Sequence, residues 1–96
     1  MYLNVHNQLT LLHDLLDEQR TLKIDSTNEY KHIKKLVQTI IKNDNMNEEL
    51  LTVLPEIYYY GMKGERALSV TEHIEQNICN IEKWLVLINR TKQQIS

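Results

Sequence analysis

A chain of 96 residues with net charge −2, 42% hydrophobic and 25% charged, has the size and composition of one globular domain over residues 1–96. One cysteine, Cys79, excludes an internal disulfide framework or a Cys-rich zinc module. The near-neutral balance lacks the basic footprint of a dedicated nucleic-acid binder, and no apolar run approaches the roughly 20 residues a membrane span needs.

The only proline and both glycines, Pro55, Gly61 and Gly64, fall in one ten-residue stretch. So little punctuation elsewhere suits helices, which need turns only at their ends. The pattern predicts an all-α fold: a four-helix up-and-down bundle with a short or kinked third helix and a long C-terminal helix.

The first helix is expected over residues 4–22, with Asn4 as N-cap. Val5, Leu9, Leu12 and Leu16 recur at helical spacing, and Leu11 and Leu15 widen the stripe until it needs a second neighbour or a partner. His6, His13 and Asp17 share a face beside that stripe. The plainer reading of them, a polar flank with His13 and Asp17 as an i,i+4 pair, is preferred to a metal site.

The second helix is expected over 27–43. It opens on Ser26-Thr27-Asn28-Glu29, a capping box, and closes at Asn43-Asp44-Asn45. Tyr30, Ile33, Val37, Ile40 and Ile41 line one face. Lys31, Lys34, Lys35 and Lys42 hold the chain's one concentration of positive charge. Lys31, Lys35 and Lys42 are candidate anion-binding residues, although solvated lysines paired with acidic neighbours would read the same way. Glu29-Tyr30-Lys31-His32 is the single Glu-x-x-His match, whereas a di-metal bundle site requires two.

The third helix is expected over 47–60, with a kink or break near 51–55 caused by Pro55, Gly61 as its C′ residue, and 62–68 as a connector. Tyr58, Tyr59 and Tyr60 spread over about 200° of arc, so not all three can be buried. Tyr59 should point outward, and Tyr59 and Tyr60 are candidate recognition residues.

The fourth helix, 70–93, opens on a second capping box, Ser69-Val70-Thr71-Glu72. Ile74, Ile78, Ile81, Leu85 and Ile88 form a near-heptad seam, extended sideways by Trp84 and Leu87. Cys79 has no histidine one turn away to activate it and reads as a bystander thiol. The expected core is Leu12, Leu16, Ile33, Val37, Leu54, Ile57, Ile74, Ile81, Trp84 and Leu85.

In order along the chain, Leu11-Leu12-His13-Asp14-Leu15-Leu16, Glu29-Tyr30, Leu36-Val37, Ile57-Tyr58, Tyr60-Gly61, His73-Ile74 and Trp84 resemble the YtzH-like family of Bacillus-type bacteria. The resemblance implies a small bacterial cytosolic protein and supplies no catalytic residue. The start, Met-Tyr-Leu-Asn-Val-His, has no basic n-region, which also fits a cytoplasmic location.

The expected function is a non-enzymatic helical protein–protein interaction module, a regulator or adaptor. It needs no catalytic, cofactor-binding or metal residue. Its candidate partner-binding residues are Leu11, Leu15, Tyr59, Tyr60, Trp84 and Leu87, facing a protein partner or a second copy in a homodimer. The alternative is a nucleic-acid-associated protein using the lysine face of the second helix.

Overall fold

The computed structural model describes residues 4–22, 28–43 and 47–95. Its regular elements are all helical: α1 (Val5–Leu22), α2 (Asn28–Ile40), α3 (Glu48–Glu65), α4 (Val70–Gln76) and α5 (Ile78–Ile95). No strand occurs among the described residues. α1 packs on α2 and α5, and α3 packs on the same two helices from the other side. α4 is a short piece resting against α1, α3 and α5.

Side chains close the helix starts. Asn4 Oδ1 accepts from the Asn7 amide at 2.8 Å. Asn47 Oδ1 accepts from the amides of Glu49 and Leu50 at 2.8 and 3.3 Å. Ser69 Oγ accepts from the Glu72 amide at 3.2 Å. Each takes up backbone donors that the first turn leaves without an intrahelical partner. Glu72 does not complete a box; its Oε1 accepts from Gln76 one turn on. Ser26 and Thr27 of the other box, and the turn residues Asp44 and Asn45, lie outside the described residues.

The third helix is neither short nor broken. α3 passes through Pro55 and past Gly61 to Glu65, 18 residues in all. Pro55 sits on the exposed face, where water can serve the carbonyl that proline leaves without a donor. Gly61 and Gly64 are buried inside the helix and act there as points of close approach rather than as a stop. A Cβ at Gly61 would lie 3.0 Å from Lys34 Cγ and 3.3 Å from the Tyr30 carbonyl oxygen, and one at Gly64 would meet the Tyr30 ring. Two missing side chains let α2 and α3 pack backbone to ring.

The long C-terminal helix is divided at Asn77. Its backbone leaves helical geometry (φ −110°, ψ 8°), and its Nδ2 donates to the His73 carbonyl at 2.9 Å. An asparagine amide competes with the helix for a main-chain acceptor and here ends α4. The Asn77 carbonyl then accepts from Ile81 at 2.8 Å and starts α5.

All ten expected core residues are buried, from Leu12, Leu16, Ile33, Leu54, Ile57, Ile74 and Ile81 at 0% exposure to Leu85 at 7%. Leu9, Tyr30, Ile40, Leu50, Val53, Tyr60, Leu87 and Ile88 complete the interior with Val70.

Candidate interaction surfaces

The apolar seam of the C-terminal region faces this chain's own core. Ile74, Ile81, Leu85 and Ile88 are buried, and Ile78 packs against the same cluster. The lateral residues Trp84 and Leu87 are buried too, at 2% and 9% exposure. Tyr60, at 3%, joins them. Three of the six candidate partner-binding residues are therefore interior, and a dimer zipped along the seam would have to unpack the domain. The width of the apolar stripe on α5 is accounted for by its neighbours α1, α3 and α4.

The other three remain at the surface. Leu11 is 43% exposed and Tyr59 53%, and Leu15 is half-buried. Leu11 and Leu15 form the outer of the two leucine rows on α1, while Leu9, Leu12 and Leu16 form the inner row. With Leu36 of α2 the outer row makes the floor of a groove of about 450 Å³, and His32 and Lys35 stand on its α2 side.

The lysine face divides in two. Lys34 Nζ pairs with Glu65 Oε1 at 2.8 Å and lies 5.9 Å over the Tyr58 ring, so it belongs to the α2–α3 packing. Lys31, Lys35 and Lys42 are exposed, and none forms an ion pair among the described residues. Of these, Lys35 sets a positive charge, unpaired among the described residues, on one wall of the apolar groove.

The histidines of α1 do not converge. His13 Nδ1 is 3.4 Å from Asp14 Oδ1 and its Nε2 is 3.3 Å from Asn89 Nδ2. Asp17 binds Arg20 at 2.7 Å instead of pairing with His13. Among the described residues no three His, Cys, Asp or Glu side chains meet in a metal-holding group. Cys79 is exposed.

A polar and aromatic cluster at the centre is absent from the sequence reading. Tyr60 donates its hydroxyl to Gln19 Oε1 at 2.5 Å, and Gln19 is fully buried. Tyr60 stacks on His73 with centroids 4.7 Å apart, and Tyr30 and Trp84 meet Tyr60 edge-on at 5.5 Å. Burial first, and Tyr30 beside it second, push the Tyr60 phenol far above its ordinary value, so it is a neutral donor. A signal for Gln19 was present: it continues the Leu9, Leu12, Leu16 spacing and so is a polar residue on a buried stripe. Nothing local to Tyr60 or His73 announces their stacking.

Glu29 stands at the edge of this cluster. Burial and the charge of Glu18 raise its pKa above the ordinary 4.5, opposed by Gln19 and His32. The sign follows from linkage. A raised carboxyl pKa makes a contribution that is complete below the unfolded value and is lost as pH rises through the folded one. Glu29→Gln removes that loss while keeping a residue suited to a capping box. It is expected to raise Tm at neutral pH, with the gain shrinking toward about pH 4 in melts across pH. A variant less stable than wild type at neutral pH would contradict this sign.

The geometry defines a small all-helical domain with an interior aromatic cluster and one apolar, basic-walled groove between its first two helices. The family model described as YtzH-like protein matches residues 3–88, and the chain belongs to the YtzH-like family. A relative described as "Uncharacterized protein YtzH", from Bacillus subtilis (strain 168), is 22% identical over 85 residues, covering 88% of this chain and 92% of the relative. No solved structure matches significantly. No helix of the described residues is long and apolar enough to cross a membrane.

Proposed function

We propose that this protein is a non-enzymatic docking module that receives an acidic, amphipathic helix of a partner protein in the α1–α2 groove. The four long helices act as a bundle-like scaffold with α4 as an end piece. The observation that carries the reading is the pairing of surface leucine with a lysine unpaired among the described residues: exposed Leu11 and half-buried Leu15 on the floor, Lys35 on the wall. An apolar helix face fills such a groove through residues spaced i, i+3, i+4. Carboxylates on its flank meet Lys31, Lys35 and Lys42, which steer encounter and fix register more than they add affinity. The phosphate backbone of a nucleic acid would use the lysines and leave the leucine floor uncovered. A protein helix uses both.

Capture from a Bacillus lysate, run in parallel with variants, tests the reading. Leu11→Glu is expected to weaken capture by about 2 kcal/mol or more, the range of an interface anchor. Lys35→Glu should make what remains slower to form and less salt-sensitive. Val86→Glu, at a half-exposed position on α5, should leave capture unchanged. A partner held equally by wild type, Leu11→Glu and Lys35→Glu would overturn the assignment. Retention of duplex DNA or RNA that falls with salt, in place of a protein, would favour the nucleic-acid alternative.

A further inference from the structure

A second concavity, of about 500 Å³, lies between α3 and the α4–α5 junction. Its volume is in the range of small-molecule sites, and its lining is unlike that of the leucine groove. Exposed Tyr59 and half-buried His73 supply its aromatic surface, with Tyr60 and Trp84 closing it from behind, and Lys63 and Glu56 supply one charge of each sign.

Two details point to a ligand, above a floor whose Trp84 indole Nε1–H is shielded from solvent and has no hydrogen-bond partner among the described residues. His73 is locked: its Nε2 lies 3.0 Å from the Tyr60 carbonyl oxygen. That oxygen only accepts, so Nε2 carries the proton, and the ring is held stacked on Tyr60 as a rigid wall. Lys63 Nζ rests 4.8 Å over the face of Tyr59 and forms no ion pair among the described residues. Its charge is therefore held beside an exposed aromatic ring with no ion-pair partner among the described residues.

We infer that this cleft binds a small planar aromatic anion, a ring bearing a carboxylate or a phosphate. The ring fills the space bounded by Tyr59, His73 and Trp84. The ligand ring covers the Trp84 side of the cleft, and its anionic group pairs with Lys63. Glu56 precedes Lys63 by two helical turns on the same helix, about 10 Å, which sets the polarity: the anion lies at the Lys63 end. Arg66 adjoins Lys63 in a continuing groove and leaves room there for the larger phosphate.

The chain has one tryptophan, so the indole N–H resonance and the fluorescence both report on the cleft floor. The full chain is titrated with 4-hydroxybenzoate and, separately, with adenosine 5′-monophosphate. A saturable shift of the indole signal with a Kd of about 1 mM or tighter is expected for at least one probe, and which one responds separates carboxylate from phosphate. Lys63→Ala and Tyr59→Leu, both at exposed positions, should each weaken binding about tenfold, whereas Lys63→Arg should restore it. Glu56→Gln should bind as tightly as wild type or more so. Absence of a saturable indole shift with both probes would overturn the inference. So would undiminished affinity in Lys63→Ala. Neither failure touches the α1–α2 groove, which shares no residue with this cleft.

Discussion

Ile81→Ala is expected to lower the free energy of unfolding by about 2–5 kcal/mol, the range for emptying a well-packed aliphatic site. Ile81 is fully buried in the first turn of α5, and its amide donates to Asn77 across the helix break. The site cannot readily collapse, because the junction above it is tied to α4 through Asn77 and His73. Urea unfolding at unchanged m checks the value. A loss below about half a kilocalorie would place Ile81 outside the core.

The second large effect has the opposite sign from what helix propensity alone predicts. Gly64→Ala removes a glycine from a helix interior and by propensity should stabilise by about 1 kcal/mol. In this fold the new Cβ would lie 2.6 Å from Tyr30 Cδ1 and nearer still to other ring atoms. The ring cannot simply step aside, because Tyr60 and His73 hold it edge-on at 5.5 and 5.8 Å. Overpacking costs of about 1–3 kcal/mol exceed the propensity gain, so a net loss is expected. Gly61→Ala is the milder control, since its nearest neighbour is the flexible Lys34 stem at 3.0 Å. Thermal or urea melts of the two variants make the comparison. A stabilised Gly64→Ala would show that α2 and α3 do not meet at the Tyr30 ring.

These two residues also mark where sequence reasoning succeeds and where it stops. Ile81 was legible because helical spacing places it on one line with Ile74, Leu85 and Ile88, and that line is buried. Gly64 was not, because a glycine in a sequence declares conformational freedom and is silent about close approach. The same silence let Gly61 read as a helix end. Asn77 is similar: apolar spacing runs straight across it, and only the bond from its side chain to His73 breaks the helix.

The surfaces divide along the same line. The outer position of Leu11 and the outward turn of Tyr59 follow from angles on a single helix, and both are exposed. Leu87 and Tyr60 could not be placed that way, and Trp84, expected both in the core and on a binding face, belongs to the core alone. How much of a helix's circumference is buried depends on how many neighbours it meets, and α5 meets α1, α3 and α4. The lysines were legible as a face, but the ion pair between Lys34 and Glu65, which sets Lys34 apart from the rest, spans two helices far apart in sequence.

An amide-resolved NMR titration with the captured partner, or with a synthetic acidic amphipathic helix, bears most directly on the docking module. The α1–α2 groove predicts that the largest shifts fall on Leu11, Leu15, His32, Lys35 and Leu36, with Val86 and the rest of the outer face of α5 undisturbed. Shifts concentrated on α5, or spread evenly over all five helices, would contradict it.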